Sequence, residues 1–559
     1  MARRHMAFGG GKRSMFEKTL LLLALVSSHA EGYVGNSACA PCHSRILRSY
    51  STTPMALSSG TVQSGTLPAD LESSKFIHPR SDVQYRVSKT ADDYFLEFER
   101  TNSKSSGRQL RDRRRLDYFV GSGAAGRSYL FALDGFLYQL PVTYYSRLKK
   151  WDMSPGFDRY DHVNLTRPIE SNCLECHASD LQAIDGTQNR FSDPPFRQAG
   201  IGCERCHGPG RKHIERMSLA RSSGVTEIVN PVKLDPLRRD SICEQCHLTG
   251  EARIARAGRS LAAFRPGDLL ADFVISFVSA DVQTQALKAT SHVEKLWQSR
   301  CKKASGDRLW CGSCHDPHSL PGEAERVHYF REKCLTCHQT NSCKTKVELR
   351  RANGDDCASC HMPRNRVVDG GHGVLTDHTI ARPRITQARS ESATLLVPFR
   401  GAAAAEREVG LAHAELALSA ESESSGAQAI ERLEQATRKG SADSEVFYRL
   451  GHLYDRAGER DKAIALYERA LRLNPALVVA AVNLANHYGA RGRIAEAIHL
   501  WQDALSRNPA LEEARINIAI AHLNRGDTTQ ARAVLLKALE FSPDSPLLRR
   551  LLGELAGGK

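Results

Sequence analysis

The stretch Cys203-Glu-Arg-Cys206-His207 decides how this chain is read, because two cysteines separated by two residues are followed directly by a histidine. The same pattern, Cys-x-x-Cys-His, occurs seven times and uses fourteen of the sixteen cysteines. We number the copies motifs 1 to 7 in chain order: Cys39–His43, Cys173–His177, Cys203–His207, Cys243–His247, Cys311–His315, Cys334–His338 and Cys357–His361.

Cys-x-x-Cys-His is the attachment signature of c-type haem. Two thiols add to the haem vinyl groups as thioethers, and the adjacent histidine reaches the iron. Zinc knuckles also use paired cysteines but do not need that histidine, and a redox dithiol fits one copy rather than seven. The sequence therefore predicts seven haems c, held by Cys39, Cys42, Cys173, Cys176, Cys203, Cys206, Cys243, Cys246, Cys311, Cys314, Cys334, Cys337, Cys357 and Cys360, with proximal ligands His43, His177, His207, His247, His315, His338 and His361.

The motifs are densely spaced, with one per 46 residues between Cys39 and His361. So little polypeptide per cofactor cannot build a large conventional core. We expect helices and loops wrapped around stacked haems in a cytochrome domain over residues 31–380, and a mainly α fold overall. Close packing of the cofactors makes electron transfer the expected function.

Each iron has a second axial position, and eight histidines outside the motifs lie between residues 31 and 400. His213 and His318 follow motifs 3 and 5 too closely to serve their own haem, so we expect each to reach a neighbouring one. His372 and His378 flank a glycine-rich turn after motif 7. Met55 offers a thioether to the first haem, with simple packing as the alternative.

The C-terminal third has a repeat of 34 residues, marked by Pro475, Pro509 and Pro543. This period is typical of tetratricopeptide repeats (TPRs), which stack helix pairs into a solenoid. We expect repeats at 410–443, 444–477, 478–511 and 512–545, with a capping helix at 546–555, in a domain over 406–559. Residues 381–405 read as a linker. Such solenoids present a concave surface to a peptide or protein partner, and a purely structural module is the alternative.

Residues 1–30 carry basic residues, a short apolar run and then Ser28-His-Ala30. This is the pattern of a secretory signal peptide, and the run is too short to span a bilayer. An uncleaved anchor is the alternative. We expect a periplasmic or otherwise extracytoplasmic protein that is not integral to the membrane and would associate with one only through a partner.

The net charge of +14 would by itself suggest a nucleic-acid partner. Its distribution indicates otherwise. Residues 1–30 carry +4, residues 401–559 carry −1, and the remaining +11 falls on the segment that holds every cysteine. We interpret that excess as counter-charge for the haem propionates, and expect no nucleic-acid partner.

Gly121–Gly126 matches the glycine pattern of dinucleotide-binding loops, but the following residues read as strands rather than a helix. The Asp134-Gly135 pair predicts a hairpin turn between two strands. Residues 75–145 are therefore predicted as a small β insertion, with Arg111, Arg113, Arg114 and Arg115 on a solvated or propionate-pairing face.

Cys301 and Cys343 lie outside the motifs, either as a disulfide or as separate buried thiols.

Several strings resemble exported multihaem cytochromes of the cytochrome c-554 type, a group related to the hydroxylamine-oxidoreductase superfamily. They include Trp151–Gly156, Gly202–Gly210, His315–His318 and Cys360–Pro363. The resemblance implies bis-histidine haems in packed pairs, with distal ligands drawn from His78, His213, His292, His318, His372, His378 and Met55. Related nitrite reductases often carry Cys-x-x-Cys-Lys at the catalytic iron, and this pattern does not occur in the sequence.

The sequence thus predicts an exported heptahaem cytochrome that transfers electrons and docks a redox partner through its repeats. An oxidoreductase acting on a small nitrogen or sulfur compound at one open haem is the alternative. A scaffold dominated by the repeats is a third class.

Overall fold

The computed structural model describes residues 32–63, 67–68, 70–100, 110–219, 228–281, 287–339, 342–381, 395–420 and 422–557. The predicted export signal lies outside these residues. About 45% of the chain is helical and 18% is in strands. The mainly α fold is therefore not confirmed, because the N-terminal half contains substantial sheet. In the described part of the chain, no helix has the length and apolarity needed to cross a membrane.

In the described residues, the strands form two larger antiparallel sheets and three small ones. The larger sheets have the strand orders β2-β3-β4-β5 and β1-β6-β7-β8-β9. The small sheets are β10-β11, β12-β13-β16 and β14-β15. The strands are β1 (Ser59–Thr61), β2 (Phe76–His78), β3 (Val83–Thr90), β4 (Asp93–Arg100), β5 (Leu110–Arg115), β6 (Tyr118–Val120), β7 (Arg127–Leu133), β8 (Phe136–Tyr145), β9 (Lys150–Met153), β10 (Ser179–Ala183), β11 (Phe191–Gln198), β12 (Ala252–Ala255), β13 (Val274–Ser279), β14 (Arg364–Arg366), β15 (Val374–Thr376) and β16 (Leu396–Pro398).

The β region follows the alternation of its sequence. Side chains along β3 and β4 are buried at every second position, and the buried set forms one core with the second sheet. The predicted hairpin joins β7 to β8, and both Asp134 (φ 53°) and Gly135 (φ 82°) adopt the left-handed conformation that a tight hairpin turn requires. Gly121–Gly126 leads into β7 and not into a helix. The region extends from β1 to β9, beyond the predicted 75–145.

The helices differ in length: most of those that precede the repeats have four to ten residues, whereas those of the repeats have eleven to sixteen. They are α1 (Asn36–Tyr50), α2 (Ser171–Leu174), α3 (Glu204–His207), α4 (Arg211–Ser218), α5 (Pro236–His247), α6 (His292–Gln298), α7 (Arg300–Ser305), α8 (Cys311–Cys314), α9 (Arg326–Leu335), α10 (Val347–Ala352), α11 (Cys357–His361), α12 (Glu406–Ala420), α13 (Glu423–Arg438), α14 (Ser444–Arg456), α15 (Arg460–Leu473), α16 (Val478–Ala490), α17 (Ile494–Arg507), α18 (Glu512–Leu523), α19 (Thr528–Ala538) and α20 (Pro546–Gly557).

Helices α12 to α19 pair in sequence into the four repeats expected from the 34-residue period, and α20 caps them. Small residues allow each pair to approach closely: Ala463, Ala470, Ala497 and Ala504 are fully buried. Tyr467 fills the space beside Gly451, where an added Cβ would lie 3.0 Å from its ring. The pattern of small and large residues therefore sets the spacing between helices.

The first repeat is packed on the N-terminal half of the chain. Helix α12 lies on β12, and its apolar residues share a core with Ile275 and Phe277 of β13. Within the predicted linker, β16 pairs with β13, and Arg400 (φ 57°) binds Asp240 and Glu244 at 2.7 and 3.0 Å. The second part of this segment is thus an ordered element of the fold.

The last repeat is packed on the β region. The ring of Phe541 meets Tyr138 edge-on with centroids 5.2 Å apart. Asp544, which is fully buried, pairs with Arg100 at 2.7 Å and accepts a hydrogen bond from the Val163 amide at 2.8 Å. The TPR array is therefore attached to the N-terminal half of the chain near both of its ends.

Candidate haem-binding sites

Each motif lies in or beside a helix, and for motifs 2, 3, 5 and 7 that helix has only four or five residues. In motifs 3, 5 and 6, the histidine amide donates to the carbonyl of the first cysteine at 3.0 Å, as in one turn of α-helix. This turn places two thiols and an imidazole within one compact unit. The donor set of each unit matches the chemistry of covalent haem attachment.

The polypeptide around the last three motifs does not form a core of its own. Among the described residues from Lys303 to Arg366, no side chain is buried. The β region and the TPR array, by contrast, contain large clusters of buried apolar residues. A segment that folds into helices without internal apolar packing fits a domain whose core is supplied by the porphyrins, so the residues present fit the cofactor.

Two motif histidines face histidines that were proposed as distal ligands. The rings of His207 and His318 are nearly parallel (9°), with centroids 5.9 Å apart, and those of His315 and His378 lie 6.3 Å apart. Two imidazoles that bind one metal from opposite sides, with metal–nitrogen bonds of about 2 Å, have centroids about 6 Å apart. The structure therefore brings His318 and His378 to positions suitable for axial ligands.

His292 completes a cluster of four imidazoles. The centroid of its ring lies 5.1 Å from that of His247 of motif 4 and 5.0 Å from that of His378. Burial, reinforced by the neighbouring imidazoles, lowers the pKa of His292 to about 3 and that of His315 to about 4. These rings are therefore neutral at pH 7, which is the form that binds a metal.

Two other proposed ligands are held by protein groups. His372 places Nε2 3.1 Å from a carboxylate oxygen of Asp152 and packs edge-on against Tyr145. His78 is buried on β2, with Nδ1 2.8 Å from the Ser81 hydroxyl. In this arrangement neither imidazole faces a motif histidine.

The two remaining candidates occupy different settings. His213 lies on α4, directly after motif 3. The Met55 carbonyl accepts hydrogen bonds from the amides of Ile201 and Ser58, and the Ser58 hydroxyl donates to the His177 carbonyl at 2.7 Å. The segment that carries Met55 therefore contacts motif 2, and the Met55 thioether as a ligand of the first haem stays a prediction.

Sequence reasoning missed the buried carboxylates inside the motifs. Glu204 of motif 3 accepts hydrogen bonds from the amides of Val34, Gly35 and Gly210 at 2.8–3.0 Å. Burial raises the pKa of Glu244 of motif 4 to about 7, against the lowering effect of the Arg400 guanidinium. An acidic residue directly after the first cysteine was the available signal in both motifs.

Cys301 and Cys343 are both free thiols in the structure. Cys301 is partly buried and Cys343 is exposed, so the structure contains the two as separate thiols, only one of them partly sheltered. A disulfide between them in the exported protein stays the alternative. Among the described residues, no three histidine, cysteine, aspartate or glutamate side chains converge in a way that would hold a metal ion.

The arginines of β5 are engaged locally. Arg114 binds Asp112 and the Glu540 carbonyl, Arg115 binds Asp117, and Arg113 lies over the Phe95 ring at 4.3 Å. The Arg114 bond also contributes a contact to the last repeat, and the solvated or propionate-pairing face stays a prediction.

The TPR array has a groove between α14 and α16. A cavity of about 480 Å³ is lined by Asp455, Arg460, Asn483, Asn486, His487, Ala490 and Arg491. The Asn483 amide donates to Tyr467 at 3.1 Å, and the Asn486 carbonyl accepts from Trp501 at 2.9 Å. These contacts fix the amides in place while polar atoms line the cavity.

Comparison with known families supports both halves. The model of the cytochrome c554 and c-prime family matches residues 147–208, which contain motifs 2 and 3. Tetratricopeptide repeat models match residues 444–477 and 489–555. The chain therefore contains a cytochrome c554-like segment followed by tetratricopeptide repeats. No curated protein matches the chain.

Solved structures that resemble this chain cover only about a quarter of it. "MamA AMB-1 P212121" is 25% identical over 27% of this chain and 78% of its own, with a TM-score of 0.24. "First TPR of Spaghetti (RPAP3) bound to HSP90 peptide SRMEEVD" is 21% identical over 20% of this chain and 90% of its own, with a TM-score of 0.20.

Proposed function

We propose that this chain is an exported multihaem c-type cytochrome that carries electrons through seven covalently bound haems and docks a protein partner through its repeats. The observation that carries the proposal is the position of His318, His292 and His378 against motif histidines. We also propose a periplasmic or extracytoplasmic location and a relation to the hydroxylamine-oxidoreductase superfamily.

When bound, haem c supplies a one-electron couple at its iron. The chain's own residues provide attachment and environment. Each cysteine pair fixes the position of its cofactor, and neutral imidazoles such as His207 and His318 offer axial nitrogens. Glu204 orders the turn of motif 3 through three backbone amides. Such fixed surroundings keep structural change on electron gain or loss small.

The haem count is tested by the mass of the mature protein expressed with a cytochrome c maturation system. We expect seven haem increments, and six in a Cys173→Ala/Cys176→Ala variant. A Cys301→Ala variant is the matched control and should retain all seven. A mature protein without covalently bound haem would contradict the proposal.

Partner docking is tested with an immobilised peptide array. We expect peptides that bind the wild-type protein to lose about tenfold or more in affinity with Asn486→Ala, because this side chain is held in the groove by Trp501 and by the Asn517 amide at 2.9 Å. A Glu554→Ala variant outside the groove should bind as the wild type does. If no peptide distinguishes the two variants, the array is a structural module.

A second candidate function is an oxidoreductase acting on a small nitrogen or sulfur compound at one open haem. The engagement of His372 by Asp152 favours it, because that histidine is then withdrawn from iron ligation. Electron paramagnetic resonance of the ferric protein separates the two functions. Seven low-spin signals favour electron transfer, and a high-spin signal together with turnover of nitrite or hydroxylamine favours the enzyme.

A further inference from the structure

Three arginines from distant parts of the chain come together beside motif 5. Arg147 lies in the turn between β8 and β9, Arg326 begins α9, and Arg364 begins β14. Burial, together with the guanidinium groups of Arg364 and Arg326, lowers the pKa of Arg147. Within the part of the chain that the structure describes, no carboxylate pairs with any of the three. This arginine cluster therefore concentrates positive charge without a counter-charge from the protein.

Two members of the arginine cluster are fixed beside β15, the strand that leads to His378. The Arg147 guanidinium donates to the carbonyl of Val374, where β15 begins. Arg364 lies opposite Thr376, where β15 ends. The Thr376 carbonyl lies 2.9 Å from Nδ1 of His378. Arg147 and Arg364 therefore belong to the same local unit as this imidazole.

The third member approaches from the side of His315, the motif 5 histidine. Phe330 follows Arg326 by one turn of α9, and its ring centroid lies 5.6 Å from that of His315. Residues four apart share one face of an α-helix, so Arg326 lies on the face of α9 that meets His315. The rings of His315 and His378 face each other at 6.3 Å. The arginine cluster thus has members on both sides of the space between these two rings.

The position of α9 separates the arginine cluster from the thiols of motif 5. Burial raises the pKa of the Cys314 thiol, and the ammonium group of Lys333, near the end of α9, opposes this rise. Arg326 begins the same helix, about 10 Å away along its axis. The vinyl groups that bind cysteines and the two propionates lie on opposite edges of a haem. Arg326 is therefore placed toward the propionate edge of a haem attached at motif 5.

Carboxylates are the ligands that such a cluster suits, because a guanidinium group binds a carboxylate through two parallel hydrogen bonds. We propose that Arg147, Arg326 and Arg364 bind the propionates of the haem attached at motif 5 and raise the reduction potential of that haem. Positive charge favours the reduced haem, which carries one more negative charge than the oxidised form. The inference rests on the proposed function, since the propionates belong to a haem that motif 5 must hold.

The arginine cluster differs in this respect from the arginines of β5. Arg114 and Arg115 of that strand already bind the carboxylates of Asp112 and Asp117. Asp152, which follows the turn that carries Arg147, is likewise engaged by Lys150 and His372. The arginine cluster therefore retains its donors for an anion from outside the polypeptide.

Potentiometric titration of the holoprotein, followed by optical and electron paramagnetic resonance spectra, tests the proposal. Arg326→Gln and Arg364→Gln should each retain seven haems by mass and shift one of the seven midpoint potentials to a lower value. Both side chains are exposed, so we expect the fold to be preserved. Arg351→Gln removes the same charge from an exposed site on α10 and should leave all seven potentials unchanged.

Two outcomes of this titration have different meanings. Seven haems with unshifted potentials in both Arg326→Gln and Arg364→Gln would overturn the proposal. Fewer than seven haems in the wild-type protein would contradict the proposed function instead. Arg326→Lys keeps the charge and should retain most of the wild-type potential, so a shift as large as that of Arg326→Gln would also overturn the proposal.

Removing the haem of motif 5 assigns the shift to that haem. Cys311→Ala/Cys314→Ala should hold six haems, and adding Arg326→Gln should leave their six potentials unchanged. A shift that persists in this background would show that the arginine cluster acts on another haem, and the proposal would be wrong.

Inorganic phosphate at constant ionic strength separates propionates from a free anion as the occupant. A cluster filled by propionates should leave all seven potentials of the wild-type protein independent of phosphate. A fall of one potential with phosphate that is absent from Arg364→Gln would show that the arginine cluster is open to external anions, and it would overturn the proposal.

Discussion

Replacing Asp544 by alanine would remove the charge that holds the last repeat on the β region. The Asp544 side chain is 0% exposed and that of its partner Arg100 is 5% exposed, with a nitrogen–oxygen distance of 2.7 Å. Breaking a buried ion pair by removing one partner costs about 3–5 kcal/mol, because the other charge stays buried without compensation. The Val163 amide would lose its acceptor as well, at a cost of about 1–3 kcal/mol. We expect a loss of about 4 kcal/mol or more.

Guanidinium unfolding followed by far-ultraviolet circular dichroism measures this loss, because the repeats supply most of the long helices. Glu554→Ala is the control, since Glu554 faces Arg550 at 3.8 Å with both side chains about two-thirds exposed. Exposed pairs of this kind contribute about 0.5 kcal/mol or less. If Asp544→Ala destabilises the protein by no more than the control does, the buried pair does not anchor the array and the reasoning fails.

Three further predictions concern the interface, a buried carboxyl and the haem segment. Phe541→Ala should cost about 3–5 kcal/mol in the same assay, because the ring is buried against Tyr138. For Glu244, the folded-state pKa of about 7 exceeds the ordinary 4.5, so its contribution is lost as pH rises between these values. Urea unfolding should therefore show the wild type losing stability relative to Glu244→Gln over that interval, and a parallel pH dependence would contradict it. Full reduction should change the charge of residues 31–400 from about +4 to about −3, because each ferric haem adds about −1 and each ferrous haem about −2. Ion-exchange chromatography under oxidising and reducing conditions checks this: the protein should be retained less by a cation exchanger when reduced. An unchanged elution would be the contrary result.

The local features of the fold follow from the sequence. The prolines at 475, 509 and 543 gave the register of the repeats, and α14, α16 and α18 begin where that register places them. The Asp134-Gly135 pair located a hairpin because few other dipeptides adopt its turn conformation. These predictions succeed because each depends on residues close together in the chain.

Long-range contacts could not be predicted in the same way. Nothing near His318 indicates that its ring would lie on His207, since spacing along the chain carries no information about a partner in another motif. Residues 381–405 were interpreted as a linker because Pro383, Pro398 and the following alanines suggest an irregular chain, yet strand β16 completes the sheet begun by β12 and β13. The β content was underestimated because several strands outside the predicted insertion, such as β12, β14, β15 and β16, are only three or four residues long.

Attachment of the TPR array at both ends changes its mechanics. A solenoid held at one end can change its curvature, because each repeat touches only its neighbours and small rotations add up along the stack. Here α12 is fixed to the β12-β13-β16 sheet, and the turn around Asp544 is fixed to the β region. The two attachments thus fix the curvature of the groove before any partner binds. A partner would meet a surface of constant shape, so little conformational entropy is lost on binding, and ligands that require the array to tighten or open are excluded.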